Sequence, residues 1–229
     1  MLWYKAWLET RWRMALIAAV LAFVLFQVAT HSQKSMDGVA MLTSLQFMWM
    51  IIPLSMAGSG VRTENPFRAA KGIQGSIYYT MSLPVSRLQL LAVRAGVGLA
   101  ETGLLIAVGI GMAAAAFPAV RMIPVNEAAS YVMTIFVCGL SGFGISTLYA
   151  TFLDQQWQAM ASMLTFFLAR GTIFGLDGAR WSRFDFFRVM GEASPLVTHG
   201  MPWVAMGVSL IVAAICFAGA VKVEEARQY

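Results

Sequence analysis

The sequence predicts an all-α membrane protein with six transmembrane helices in a single transmembrane domain that covers residues 1–229. Of these residues, 59% are hydrophobic and only 12% are charged, whereas a soluble domain is typically about 45–50% apolar and about 25% charged. In addition, the chain repeatedly supplies apolar runs close to the length of about 20 residues that a helix needs to cross a bilayer. Composition and run length therefore agree on an integral membrane protein.

The first element is an amphipathic helix over residues 1–13, which we expect to lie in the membrane interface. Charged side chains recur there every four residues, which places them on one stripe of a helix. The stripe consists of Lys5, Glu9 and Arg13. Trp3 and Trp7 lie on another face, and tryptophan together with basic residues is typical of a helix at the membrane surface. A cleavable signal peptide fits less well, because no small-residue cleavage site follows the apolar stretch.

Six spans follow by hydropathy. They are predicted over residues 14–30, 39–61, 93–117, 128–153, 159–175 and 201–221. Pro53 lies inside the second span, where its missing N–H predicts a kink or break. Two longer connections interrupt the pattern: residues 62–92 between the second and third spans, and residues 176–200 before the sixth.

The distribution of Lys and Arg predicts that both termini are cytoplasmic. With the N-terminus inside, ten of the 16 basic residues fall in inside segments and six in outside segments, which agrees with the positive-inside rule. Arg180, Arg183 and Arg188 run against this trend, because they lie in the outside connection. Since they alternate with aromatic and acidic residues, we interpret residues 176–200 as an extracellular amphipathic helical stretch that lies at the outer interface or dips into it.

The sequence lacks the usual signatures of a catalytic or metal centre. It contains no GxxxxGK[ST] phosphate-binding loop and no HExxH motif. His31 and His199 are too few for a metal cluster, and Cys138 and Cys216 lie singly inside apolar runs. The basic residues cluster at the ends of spans, which the positive-inside rule explains without a nucleic-acid partner. We therefore expect no catalytic residue, no metal and no nucleic-acid partner.

Two features inside the spans are candidates for a specific role. Glu101 lies within the third span, and an acid inside a membrane is a candidate functional residue. The alternative, which we favour, is that it pairs with Arg94, seven residues earlier, near the cytoplasmic surface. Gly171 and Gly175 have the GxxxG spacing of packed membrane helices. They either line a subunit interface or reflect the 20 glycines of the chain.

The connection between the second and third spans contains the most specific polar segment. It reads Gly75-Ser76-Ile77-Tyr78-Tyr79-Thr80-Met81-Ser82-Leu83-Pro84-Val85-Ser86-Arg87. Pro84 disfavours helix at Leu83, and Ser86 is suited to cap a helix that begins at Arg87. A short rigid element between two long helices would act as a lever on both spans. An ordinary solvated loop with a basic character is the alternative.

This segment resembles the membrane subunit of ABC-2 type transporters. That family carries an acidic cluster, then Gly-Thr-Leu-Glu and, after a few apolar residues, Ser-Leu-Pro-Val-Ser-Arg between spans two and three. Here Gly75-Ser76-Ile77 stands for Gly-Thr-Leu, and the run from Ser82 to Arg87 matches throughout. Tyr78 replaces the usual acid, and Glu64 is the only acid near the expected acidic cluster. The resemblance covers about thirteen residues in motif and the whole chain in layout.

The resemblance implies a permease subunit without ATPase activity of its own. Two permease chains, expected to be identical, would pair in a bacterial-type cytoplasmic membrane above two ATPase chains, which would hold the ATP and Mg. Residues 62–92 would form the cytosolic coupling segment. The residues implied to carry coupling are Gly75, Ser76, Leu83, Pro84, Ser86, Arg87 and Glu64. An exporter of amphipathic drugs, peptides or lipids is implied. A non-transporting membrane subunit for signalling or assembly, or a secondary transporter, is the alternative.

Overall fold

The computed structural model describes residues 2–31, 37–57, 87–153, 155–176 and 182–226. Within these ranges the regular structure is helical throughout, without a strand. The long helices are α1 (Leu2–His31), α3 (Gln46–Met56), α4 (Arg87–Ala116), α6 (Val125–Ala150), α7 (Gln155–Leu176) and α10 (Trp203–Ala226). Shorter elements are α2 (Gly38–Ser44), α5 (Pro118–Arg121), a 3-10 turn (Ser182–Phe184), α8 (Phe186–Met190) and α9 (Pro195–Thr198). The predicted all-α class is confirmed for the described part of the chain.

Among the residues that the structure describes, four helices are long and apolar enough to cross a membrane. They cover Thr10–Thr30, Leu88–Ala116, Val125–Ala150 and Trp203–Ala226. The pair α2 and α3 meets the same criterion when it is taken as one span bent by 41°. The chain is therefore a membrane protein with several transmembrane helices, as its composition predicts.

The first helix runs without interruption from the residues predicted to lie in the interface into the first span. At about 1.5 Å per residue, the 30 residues of α1 extend over about 45 Å. This exceeds the hydrocarbon core of about 30 Å. The expected interfacial helix over residues 1–13 is therefore, from residue 2 onward, the first 12 of the 30 residues of one long helix. Its large aromatic side chains are exposed, with Trp3 at 57% and Trp12 at 74%.

The bend in the second span lies at Leu45, not near Pro53 as the sequence led us to expect. Pro53 sits inside α3 without ending it, and its ring packs against Gly139 of α6. At the bend, the carbonyl oxygen of Leu42 accepts hydrogen bonds from the Leu45 N–H, the Trp49 indole and the Tyr131 hydroxyl. These donors replace the regular helical partner, so the chain can turn there without an orphaned polar group.

The helices run in alternating directions between two sides, which we call proximal (where α1 begins) and distal. Helices α1 and α4 are parallel, because Thr10 hydrogen-bonds to Glu101 while Leu21 packs against Gly109 about two to three turns further along both helices. Helices α3, α6 and α10 run the other way, towards the proximal side. The bent pair α2–α3 runs parallel to α6, with one contact from Tyr131 to Leu42 of α2 and another from Ser146 to Leu54 of α3.

The core is built around α6, which packs against α3, α4, α7 and α10. Its side chains Tyr131 and Ile135 are fully buried, together with Trp49 of α3 and Ile106 of α4. On the proximal side the core narrows to a smaller cluster of Ala57, Ala95 and Phe143.

The connection before the last span is helical in its described part, but in short pieces rather than one continuous helix. In the described residues 182–200 it consists of the 3-10 turn and the two short helices α8 and α9. Phe187, Val189, Met190 and Leu196 of this stretch belong to the main core cluster. Asp185 caps α8, because its carboxylate accepts hydrogen bonds from the N–H groups of Phe187 and Arg188. The connection thus closes the distal end of the bundle.

Helix α7 runs antiparallel to α3, from the level of Ala57 to that of Phe47. At the proximal end the Gln158 amide donates to the Ala57 carbonyl at 2.9 Å, and at the distal end the rings of Phe167 and Phe47 stack. Polar residues lie on its inner face, where Gln158 and Ser162 are buried. Its outer face carries large exposed apolar side chains. These are Trp157, Met160, Leu164 and Leu168.

Candidate functional site

Most of the residues predicted to couple this chain to a partner lie outside the described ranges. Gly75, Ser76, Leu83, Pro84, Ser86 and Glu64 all fall between residues 57 and 87. Arg87 is the first residue of α4. The structure does describe the two helices that this segment joins, and the contacts between them.

The end of α3 and the first turns of α4 are held together around Phe143 of α6. Ala57 closes the second span, and it clusters with Ala95 of α4 against the Phe143 ring. One turn along α4, Gly98 approaches the backbone so closely that an added Cβ would lie 2.7 Å from the Met56 carbonyl oxygen. Both helix ends that flank residues 58–86 are therefore anchored to one junction.

A buried polar network completes this junction. The Ser146 hydroxyl of α6 donates to the Leu54 carbonyl at 2.8 Å. The Gln158 side-chain amide of α7 reaches three acceptors: the Ala57 carbonyl at 2.9 Å, and the Ser146 carbonyl and hydroxyl at 3.0 Å each. Gln158 is 4% exposed and Ser146 fully buried. The network joins α3, α6 and α7 at the point where the chain leaves the second span.

Sequence reasoning did not single out this network. Gln158 lies just before the predicted fifth span over residues 159–175, and its partners Ala57 and Ser146 are 101 and 12 residues away. The available signal was periodicity, since Gln158, Ser162 and Phe166 recur every fourth residue and form the buried stripe of α7. A polar pair on the inward stripe of a membrane helix is typical of contacts between helices.

Glu101 lies in the contact between α4 and α1. Its Oε1 accepts a hydrogen bond from the Thr10 hydroxyl, and Arg13 lies near enough for its charge to act on the carboxylate. Glu101 is 4% exposed, and its Oε2 is buried without a hydrogen-bond partner. The expected pairing considered only Arg94 on the same helix, whereas the structure gives this acid a partner on a neighbouring helix.

Glu101 lies near the middle of the apolar stretch Leu88–Ala116 of α4, whereas its partner Thr10 lies at the proximal end of the stretch Thr10–Thr30 of α1. The stretch on α4 has 29 residues, which is longer than the about 20 residues that cross the hydrocarbon core. Because Glu101 is buried against α1 and bonded to Thr10, it is suited to fastening the two helices together.

The remaining predicted residues are less informative. Gly171 lies on the exposed side of α7, and a Cβ built on it would meet no heavy atom within 4 Å. Gly175 lies in the last turn of α7. The described parts of the chain contain no group of three or more His, Cys, Asp or Glu side chains that could hold a metal ion.

Comparison with known proteins adds no relative. No family model, no curated protein and no solved structure matches this chain. The junction around Ala57, the Glu101 contact and the sequence motif at Ser82–Arg87 therefore carry the functional interpretation.

Proposed function

We propose that this chain is the permease subunit of an ATP-driven ABC-2 type transporter that exports an amphipathic drug, peptide or lipid-like substrate. It works as a pair of identical chains, and two separate ATPase chains bind it from the cytoplasm and hold the ATP and Mg. The carrying observation is the run from Ser82 to Arg87, which matches the coupling motif of that family and lies in the connection between α3 and α4.

The anchoring of α3 and α4 supports this role for residues 62–92. A coupling segment transmits force only if the helices at its two ends cannot slip past each other. Ala57, Ala95 and Phe143 form one packed cluster at those ends, and proteins pack too densely for such a contact to deform gradually. A displacement of the segment would therefore move the proximal ends of both helices together.

The proposal includes six spans with both termini cytoplasmic, where the bent pair α2–α3 is the second and α7 the fifth. The distribution of side chains on α7, with polar residues buried and large apolar residues exposed, supports its assignment as a span. Trp157 and Met160 are 63% and 66% exposed while Gln158 is buried. That arrangement is unfavourable in water but favourable in lipid, where apolar faces point outward and polar groups find partners inside.

The position of Glu101 bears on the alternative of a secondary transporter. Such a protein places ionisable residues near the middle of the membrane, around broken helices. Glu101 is instead enclosed in the contact between α1 and α4, where the Thr10 hydroxyl donates to it, which suits a structural contact better than an ion-binding position. The alternative of a non-transporting subunit shares the coupling segment and is separated from the proposal by the experiment below.

The test starts by purifying the chain from its native membrane and identifying the ATPase that accompanies it. Pro84→Ala combined with Arg87→Glu should lower substrate-stimulated ATP hydrolysis at least tenfold in the reconstituted complex, because the turn and the basic contact of the coupling segment are lost. Arg183→Glu, a charge reversal in the exposed distal connection, is the matched control and should leave hydrolysis unchanged.

Two outcomes would contradict the proposal. Recovery of the chain without any ATPase argues against an ABC complex altogether. Recovery of the ATPase with hydrolysis that no substrate stimulates, and with no movement of substrate across proteoliposomes, favours the non-transporting subunit.

A further inference from the structure

The side chain of Gln158 offers an inference about how α7 is connected to the coupling segment. The last carbonyl groups of a helix have no donor within that helix, and inside a membrane no water can replace it. For α3 these groups include the carbonyls of Leu54 and Ala57. Both receive donors from other helices, Leu54 from the Ser146 hydroxyl at 2.8 Å and Ala57 from the Gln158 amide at 2.9 Å.

Gln158 holds both of these contacts in place. Its amide donates to Ala57 directly and also to the carbonyl and hydroxyl oxygens of Ser146 at 3.0 Å. It thereby orients the hydroxyl that caps Leu54. Ala57 and Ser146 are fully buried and Gln158 is nearly so. If the amide is removed, the Ala57 and Ser146 carbonyls therefore lose this donor at a place where water cannot replace it. One side chain thus closes the end of α3 and ties it to α6 and α7.

The distal half of α7 is held by contacts that do not involve Gln158. Towards its distal end Phe166 packs against Phe187, and Arg170 lies over the Phe187 ring at 4.2 Å. On the proximal side the outer face of α7 is exposed at Trp157 and Met160. A movement of the end of α3 therefore reaches the proximal half of α7 through the Gln158 network.

We propose that Gln158 is a positioning residue: it fixes the point at which the chain leaves the second span and makes α7 move together with the segment that begins there. The second half of this statement rests on the proposed permease function. The first half concerns only the fold of this chain and can be tested without any partner.

The first measurement is hydrogen exchange of the full-length chain in lipid nanodiscs, followed in the peptide that covers α3. Gln158→Met keeps the unbranched shape of the side chain and removes its donors. We expect amides in the last turn of α3 to exchange about tenfold faster, which matches the loss of a buried hydrogen bond. Ser162→Ala is the matched control, since its hydroxyl lies on the same buried stripe and, among the described residues, donates within α7 to the Gln158 carbonyl. It should leave α3 unchanged.

The second measurement is ATP hydrolysis by the complex of this chain with its ATPase. Gln158→Met should lower kcat severalfold while KM for ATP and the affinity for the ATPase stay the same, because ATP and the docking segment are untouched. A residue that only stabilises the fold would change the exchange of α3 without changing kcat. Should Gln158→Met fail to fold, Ser146→Ala removes the Leu54 cap more mildly and should shift both readouts in the same direction.

The outcomes separate the two proposals. Unchanged exchange in α3 overturns the role of Gln158 at the end of that helix. Faster exchange with an unchanged kcat overturns its role in connecting α7. If no ATPase accompanies the wild-type chain, the permease proposal fails, and the exchange experiment alone decides whether Gln158 holds the end of α3.

Discussion

At the scale of single residues, the fold depends on polar side chains that serve the backbone of a neighbouring helix. Tyr131 bonds to carbonyls at the α2–α3 bend and at the end of α8, and Gln158 bonds to the last described carbonyl of the second span. Ser209 of α10 donates to carbonyls of α6, at Val137 and Cys138. Because lipid offers no hydrogen bonds, these side chains determine where a helix can bend or end.

Tyr131 allows this dependence to be measured. Its hydroxyl lies 2.9 Å from the Leu42 carbonyl and 3.0 Å from that of Met190, and the side chain is fully buried. Tyr131→Phe should destabilise the protein by about 1–2 kcal/mol, because the buried Met190 carbonyl loses this donor and the Leu42 carbonyl loses one of its three. Reversible unfolding in mixed micelles gives the free energy.

The matched control for Tyr131 is Tyr149→Phe. That hydroxyl lies 2.8 Å from the Thr165 hydroxyl in a half-buried position, so we expect a smaller loss of about 0.5 kcal/mol. Equal losses at the two positions would show that burial of the acceptors does not decide the energy.

At the scale of helices, close crossings rely on glycine at the point of contact. An added Cβ would lie 2.7 Å from the Met56 carbonyl at Gly98 and 2.8 Å from the Ala213 Cα at Gly144. Small residues let membrane helices approach each other in this way. At the first site the obstacle is backbone oxygen, which cannot rotate aside as a side chain would.

Gly98→Ala should therefore push α4 away from the end of α3 and cost about 1–3 kcal/mol, the usual range for overpacking a dense contact. Gly111→Ala on the same helix is the control, because no heavy atom lies within 4 Å of its built Cβ. In an exposed helical position alanine is favoured over glycine by up to about 1 kcal/mol. Thermal unfolding of both variants in nanodiscs checks the contrast; comparable losses would contradict the assigned crossing.

Hydropathy predicted the long helices of the fold well, because a helix that crosses lipid must above all be apolar over a sufficient length. The cores of the helices α1, α4, α6 and α10 follow from it directly. What could not be predicted depends on contacts between distant residues. At the bend at Leu45, the Leu42 carbonyl is bonded by Tyr131, which is 89 residues away. The known effect of proline on helices predicted a bend at Pro53 instead. In the same way, the partner of Glu101 is 91 residues away on α1.

At the scale of the whole molecule, the open question is which segments lie on which side of the membrane. The proximal side collects the start of α1 and the ends of α3, α6 and α10, and the distal side carries α5, α8 and α9. Helix α7 decides the count of spans, because its inner face is polar and its outer face apolar. If it crosses the membrane, the exposed residues that precede and follow it must lie on opposite sides.

Single cysteines placed in a Cys138→Ala, Cys216→Ala background test this arrangement with a maleimide that cannot cross the membrane. Phe152→Cys precedes α7 and Arg183→Cys follows it, and both native side chains are exposed. We expect Arg183→Cys to react in intact cells and Phe152→Cys to react only after permeabilisation, since the proposed orientation places the distal side outside. Two further positions serve as controls for the two sides. Met122→Cys lies on the distal side, in the connection between α5 and α6, where the native side chain is 85% exposed. Glu225→Cys lies on the proximal side, at the exposed end of α10. Reaction of Phe152→Cys and Arg183→Cys from the same side would show that α7 does not cross the membrane. If all four cysteines reacted from the side opposite to the expected one, the N-terminus and the coupling segment would lie outside the cell, away from any ATPase.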